Sequence, residues 1–424
     1  MKNILITISL ASFLFSCTNA QYEKNEECLE KTISTDTSSE TSCPLLISDN
    51  KGNVVLTYIK EKSDTVALMC YAVSTDKGHS FGNPIEIAAS SKIHPSAENI
   101  PKMVFKANGE IIAVWGVNNS SPEKKYGGLI YYAQSFDEGK NWTEAKQLVE
   151  DTASIDQRYF DIAILQNGEA AIIWLDSRTK TDKEGSTLYF AETKGKNGFQ
   201  NEKSIGETIC QCCRTDLFVD SKGAIHAAYR DIINDSIRDM VHIISSDGGK
   251  TFSAPQRISI DNWAINGCPH TGPAMAENRN ALHFAWYTMG GGSGVFYSFT
   301  KDNGETFMLR DSVSTKPSAK HPQICTLPND DVIIVWDETV VKGENYNAVI
   351  GLQRRNKEGK IISTQYITSD EALSGFPVLK AVDGNNVLIA WVQKQQDIKN
   401  LQADQKKHTH LKGGQVYYKL VHLK

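Results

Sequence analysis

Seven aromatic residues close short apolar runs along this chain and recur at nearly constant spacing. They are Tyr58, Trp115, Trp174, Tyr229, Trp286, Trp336 and Trp391, 50 to 59 residues apart. A period of this size marks one supersecondary unit copied many times. Most of the runs follow a turn signal: Gly52-Asn53 precedes Val54 to Tyr58, Asn108-Gly109 precedes Ile111 to Trp115, and Asn167-Gly168 precedes Ala170 to Trp174. Each copy reads as short strands joined by tight turns, with no helical stretch between them. Small sheets repeated radially, an all-β β-propeller, satisfy that pattern. Seven such units account for nearly all of the 424 residues, so the expectation is a seven-bladed ring, with six blades as the alternative.

A second repeat is superimposed on the first. After the aromatic comes another strand and then Ser-x-Asp-x-Gly-x-x-aromatic: Ser74 to Phe81, Ser135 to Trp142, Ser245 to Phe252 and, with Thr for Ser, Thr300 to Phe307. This is a self-sufficient hairpin turn. The Asp can cap backbone N–H groups, the Gly supplies a positive φ, and the aromatic tucks back under the sheet. Degenerate copies stand near Glu192 to Phe199 and Arg355 to Lys360. The turn resembles the Asp-box (BNR) repeat of sialidase-like propellers, and the resemblance covers nearly the whole chain. It implies that the boxes join the outer strands on the face opposite an active site, where they are scaffold.

Inner strands are expected to begin near Pro44, Pro101, Phe160, Thr215, Gly272, Pro322 and Phe376. The last unit runs through Trp391 to Leu420 and then lacks a fourth strand. The segment Lys31-Thr32-Ile33-Ser34 is available to close it, which would avoid an exposed sheet edge.

The chain starts with a targeting pattern: Lys2, an apolar stretch from Ile4 to Phe15, and then Leu14-Phe15-Ser16-Cys17, which resembles the lipobox of bacterial lipoproteins. The apolar run is too short to span a bilayer. Cleavage before Cys17 and lipidation of that residue would anchor an exported protein to a membrane surface. The expected division is a signal peptide over 1–16, a tether with the ring-closing segment over 17–43, and the propeller over 44–424. The net charge of −5 and the absence of any Lys/Arg tract argue against a nucleic acid partner.

Eight cysteines follow Cys17, and disulfides are permitted in an exported protein. Cys28 and Cys43 are plausible partners, whereas Cys70 and Cys325 sit inside apolar strands as buried thiols. The remaining four cluster in Cys210-Gln211-Cys212-Cys213-Arg214 and Gly267-Cys268-Pro269-His270, which lead into adjacent inner strands; Lys320-His321-Pro322 leads into the next. Cys210, Cys212, Cys213, Cys268, His270 and His321 could bind zinc or copper. A disulfide, such as Cys210 or Cys212 with Cys268 or a vicinal Cys212–Cys213 bridge, is the competing reading.

Propeller topology sends the loops before each inner strand and after each repeated aromatic to one face. Those loops carry Arg158, Arg178, Arg214, Arg230 and Arg238, five of the ten arginines, and an arginine-rich mouth on an acidic protein suits an anionic sugar. The first, second and last units add little beyond His94, Glu98 and Asn99. The stretch from Cys210 to Pro273, with Cys-Cys-Arg-Thr, Tyr-Arg-Asp and Gly-Cys-Pro-His, resembles a group of bacterial sialidase-like proteins. The early Phe-Arg-Ile-Pro motif of sialidases is missing, because Cys43-Pro44-Leu45-Leu46-Ile47 stands in its place. Paired histidines of some seven-bladed uronate lyases are also missing; Asn99 and Asn118 stand near those places.

Two functions follow as expectations. One is an enzyme on acidic glycans, a glycosidase or polysaccharide lyase, with Tyr229, Asp231, Asp176, Asp337 and Glu338 as candidate catalytic groups and the five arginines as substrate contacts. As a lyase it would set Tyr229 or His270 beside Arg214 and Arg230. The other is a surface lipoprotein that binds glycans or a metal without catalysis.

Overall fold

A computed structural model describes residues 29–34, 39–63, 65–122, 127–150, 156–178, 184–343, 345–370, 372–394 and 414–423. Cys17 and Cys28 lie outside these residues. The fold is an all-β propeller, with only two short 3-10 turns, Ala88–Ser90 and Gly195–Asn197, among the described residues. Among the described residues no helix is long and apolar enough to cross a membrane.

Five sheets are four-stranded antiparallel meanders, led by Glu40–Ser48, Lys102–Phe105, Gln157–Ile164, Asp216–Val219 and Ala274–Asn278. The sixth has eight strands. Its first half runs from Lys320–Thr326 to Ile361–Tyr366, and its second contains Leu373–Ala381, Asn386–Lys394, Gly414–His422 and Lys31–Thr32. A lone parallel pairing, Ala348 with Leu373, joins the halves.

The repeated aromatics explain why the sheets stack. All seven are at most 2% exposed. They sit in apolar layers between consecutive sheets: Trp115 packs with Val55, Ile59 and Met69 of the preceding sheet, and Trp174 packs beside Ile112 and Val114. Truncating one such Trp to Ala should cost about 3–5 kcal/mol. One further layer sets Leu56 and Tyr58 of the first sheet against Leu388, Val416 and Tyr418 near the end of the chain, so the layers close into a ring. Lys31 stands opposite Tyr418 and Thr32 opposite Tyr417, while the Val416 amide donates to Thr41 Oγ1 at 2.7 Å. The strand missing at the end of the chain is thus supplied from its start.

The four Asp-boxes repeat one hydrogen-bond pattern. In the third, Ser245 Oγ donates to Asp247 Oδ1 at 2.8 Å, Gly249 N donates to Ser245 Oγ at 2.9 Å, and Thr251 donates both its amide and its hydroxyl to Asp247. The first box repeats it with Ser74, Asp76, Gly78 and Ser80. Hydrogen bonds from Thr306 and Thr300 hold the Asp302 carboxyl down at about 2. The glycines adopt φ of 83° to 92°, where a side chain is strained. With Ser48 opposite Val54 and Val54 opposite Ser74, antiparallel register puts the first box on the same face as the turn after the inner strand. The starts of the inner strands therefore lie on the opposite face.

Candidate functional site

On that opposite face, four inner strands share one kink. Cys43, Tyr159, His321 and Phe376 all have φ between 49° and 56°, and the register slips at each: between Ser42 and Leu45, Arg158 and Asp161, Lys320 and Gln323, Gly375 and Val378. A bulge with a left-handed residue re-aims its side chain, and bulges recur beside sites for that reason. Arg214 and Gly272 occupy the corresponding place in their strands, two residues before Asp216 and Ala274, whose partners Ala228 and Ala285 each precede a repeated aromatic. A Cβ on Gly272 would lie 2.2 Å from the Arg214 carbonyl oxygen, so only glycine permits the two strands to approach.

His321 is the hub. Its Nδ1 lies 2.8 Å from Asp337 Oδ2 and its Nε2 lies 3.0 Å from Glu98 Oε1. Asp337 Oδ2 also accepts the Phe376 amide at 2.7 Å, and the Phe376 ring stacks on the imidazole at 4.2 Å. Burial alone would lower the His321 pKa, but Asp337 and Glu98 outweigh it and push it up to about 9. On Glu98 burial acts upward, and the charges of His321 and Arg214 overcome it, holding the carboxyl below its ordinary value. The Arg214 Nε sits 3.2 Å from Glu98 Oε2. Two buried nitrogens of that guanidinium, Nε and Nη2, make no hydrogen bond among the described residues. An imidazolium, a carboxylate and a partly unengaged guanidinium therefore converge at the mouth.

Further along the inner strands lies a charged row. Lys102 Nζ is 2.8 Å from Asp161 Oδ1, and Asp161 Oδ2 accepts the Leu217 amide of the next sheet at 2.9 Å. Asp216 Oδ2 accepts the Met275 amide at 2.6 Å in the same manner. Burial, followed by the charge of Asp161, raises the Asp216 carboxyl well above the ordinary range. These groups tie consecutive inner strands together.

The cysteines converge as well. Cys210 N bonds to Arg230 O at 2.9 Å and Cys213 N to Cys210 O at 3.4 Å, a tight turn that directs three buried thiols inward. Cys210 Sγ is 3.6 Å from both Cys212 Sγ and Cys213 Sγ, and Cys268 lies at the surface, outside that trio. All four are free thiols, so the disulfides considered among them are not formed in this structure. His270 is exposed and lies near enough to Glu98 to favour its charge, whereas His321 is occupied by Glu98 and Asp337; neither joins the thiol group. Cys43 and Cys70 are buried free thiols, both pushed up to about 12 by burial, and Cys325 is half-buried.

Most other candidates serve the scaffold. Tyr229 is 2% exposed in the core, where burial raises its hydroxyl pKa. Asp176 accepts the Trp174 indole N–H at 3.2 Å and Glu338 accepts that of Trp336 at 2.7 Å; Gln393 does the same for Trp391 at 3.0 Å. A residue two places after the aromatic is thus an indole acceptor rather than a mouth acid. Asp231 accepts from Thr208 Oγ1 and from the Ile232 amide. Arg230 is wholly buried and donates to the carbonyls of Arg238 and Tyr287 at 2.9 and 2.7 Å. Arg158 forks onto Asp156, Arg178 onto Glu202, and Arg238 bonds Glu184 and the Ile265 carbonyl. Asp337 and Arg214 alone among the acids and arginines proposed from sequence reach the mouth. Two clefts lie elsewhere, one lined by Glu150, Trp174 and Glu202, the other by Asn167, Asp220 and Gly248.

Glu98, Phe376, Lys102 and Asp216 are the residues the sequence reading did not propose. Glu98 and Asn99 stood on a loop judged sparse; Asn99 Oδ1 accepts the Tyr159 amide at 2.7 Å. The available signal was positional, because each lies close before or within an expected inner strand.

Residues 89–262 match the family model of the BNR repeat-like domain. No curated protein matches by sequence. Among solved structures, a protein of unknown function from Dyadobacter fermentans aligns over 93% of this chain and 98% of its own at 13% identity and a TM-score of 0.51. The intramolecular trans-sialidase of Ruminococcus gnavus aligns over 78% of this chain and 98% of its own at 10% identity and a TM-score of 0.50. A Hadza microbial sialidase aligns over 93% and 68% at 14% identity and a TM-score of 0.49. The repeated boxes and the closed ring of sheets agree with the BNR repeat-like match over residues 89–262, and the likeness to the solved structures is one of fold.

Proposed function

We propose that this protein is an exported, membrane-tethered glycan hydrolase whose mouth takes an acidic sugar. Arg214 contacts the anionic group, and Glu98 and His321 form the acid–base pair. The carrying observation is that Arg214, ion-paired through Nε with Glu98, keeps the buried Nη2 without a hydrogen bond among the described residues beside the Glu98–His321–Asp337 row. Environments that push two titratable groups apart assign their roles. Glu98 stays ionised and acts as base or charge stabiliser, while His321 stays protonated and donates to the leaving oxygen, oriented by Asp337. Water then adds across the glycosidic bond, its hydroxyl to the sugar and its proton to the pair. The same protonation argues against His321 as the base of a lyase.

Glycan-acting relatives of the same fold support this reading. Reading the eight-stranded sheet as two blades, as the seven repeated aromatics suggest, supports a seven-bladed ring. The tether would begin at Cys17, and Cys17→Ala should release the protein from membranes if that residue is lipidated.

The test is a titration and turnover assay with acidic and neutral oligosaccharides on wild type, Arg214→Ala and His321→Gln. Selective binding of acidic sugars that is lost in Arg214→Ala, with turnover lost in His321→Gln, supports the reading. Binding without turnover would leave a non-catalytic glycan receptor. Equal treatment of acidic and neutral sugars would overturn it.

A further inference from the structure

We propose that Cys210, Cys212 and Cys213, with Cys268 as the closing ligand, form a binding site for a thiophilic d10 metal ion, Zn(II) or Cu(I). This goes beyond the glycan reading and does not depend on it.

The first argument is geometric. The three buried sulfurs lie within 4.8 Å of one another, and the Cys210 Sγ is 3.6 Å from each of the other two. A Zn–S bond of about 2.3 Å in a tetrahedral site sets neighbouring sulfurs about 3.8 Å apart. The thiols already stand at ligand spacing, and an ion on the open side of the trio needs only small side-chain shifts.

The second argument is construction. A Cys-x-Cys-Cys run cannot converge on one point in a strand, where neighbours face opposite ways. Here the strand ends at Ile209, and the 210–213 turn, closed by the Cys213 amide on the Cys210 carbonyl, gathers the sulfurs. Cys268 stands in the segment before Ala274–Asn278, outside the 4.8 Å trio, so it would have to swing in from the next sheet to supply the fourth sulfur. It is also the exposed one, leaving the site a path for the ion.

The third argument is donor chemistry. Thiolates select soft d10 ions over magnesium or calcium, so the ligand class follows from the donor set.

The experiment uses the full chain purified in a non-thiol reductant. Metal content is measured first, followed by titration of the chelator-stripped protein with Zn(II), with Co(II) read by its thiolate charge-transfer absorption, and with Cu(I) against a chromogenic chelator. The expected result is one ion per chain. Cys212→Ser should abolish the Co(II) band. Cys268→Ser, at an exposed position that the fold does not need, should keep the circular dichroism spectrum and bind at least about tenfold more weakly. Preference between the Zn(II) and Cu(I) arms names the ion. A reduced, folded protein that takes up none of the three metals overturns the proposal. So does a folded Cys268→Ser with unchanged affinity, or an intact mass showing a disulfide among Cys210, Cys212 and Cys213 that resists mild reduction.

Discussion

His321 Nε2 and Glu98 Oε1 meet at 3.0 Å although 223 positions of sequence separate them. One belongs to a kinked inner strand and the other to a loop on the far side of the ring. Their meeting spans the mouth, so whatever enters must part them or bind beside them. The ion pair also couples the state of the site to the stability of the ring.

That coupling predicts a pH signature. The His321 pKa stands at about 9 in the folded chain, held there by Asp337 and Glu98 against burial, and near 6.5 unfolded. A raised folded value gives stability that is full below about pH 6.5 and is lost as pH rises through 9. The full shift corresponds to roughly 3 kcal/mol. Chemical denaturation between pH 6 and 10 should show wild type losing stability across that window and His321→Gln losing much less. Parallel curves for the two proteins would contradict the geometry.

Arg214 and Arg230 should fail in opposite ways. Arg230→Ala removes a buried guanidinium and leaves the Tyr287 and Arg238 carbonyls without it, so the cost should be about 3 kcal/mol or more. Arg214→Ala should shift the denaturation midpoint little and weaken acidic-sugar binding about tenfold or more. Urea melts beside binding titrations separate the two effects; equal loss of stability would place Arg214 in the scaffold too.

Asp161 is ion-paired with Lys102, whereas burial and the charge of Asp161 raise the Asp216 carboxyl. The raised Asp216 carboxyl contributes stability below its unfolded value that is lost as pH rises through its folded value. Asp216→Asn, which mimics the protonated acid, should be as stable as wild type at pH 7 or more so. Asp161→Asn strips the partner from Lys102 and should destabilise by about 2 kcal/mol or more. Reversed ranking in thermal melts would contradict the raised Asp216 carboxyl.

Removing residues 1–38 deletes Lys31–Thr32 and uncovers one side of Gly414–His422. The shortened chain should lose at least about 1–2 kcal/mol and self-associate through the bared edge. Light scattering against concentration checks the second outcome, and a monomer of unchanged stability would exclude a closing role for that segment.

The propeller was legible because its determinants are local and repeated: an aromatic after an apolar run, and a box whose Ser, Asp and Gly bond within one turn. The mouth was legible in part. Arg214, Asp337 and His321, the last as a candidate metal ligand, were placed on the mouth face because of the loops they sit on. Asp176 and Glu338 were misassigned to chemistry because Trp-x-acid reads alike whether the acid faces solvent or accepts the indole N–H. Arg230 was placed beside Arg214 on position alone; its side chain turns into the packing under Trp263, 5.0 Å from that ring. Glu98 gained its meaning only from His321 across the ring, a pairing that no window of sequence contains.

The closing pairs between Lys31–Thr32 and Gly414–His422 also set a timetable. During synthesis the first strand must wait, unpaired, until nearly the whole chain has emerged, and contacts this distant in sequence form slowly. The intermediate sheets can stack as they appear, yet the circle stays open until its last strand arrives. Folding of this chain therefore has a final locking step, and any factor that shields the waiting segment would govern how much of it reaches the native ring.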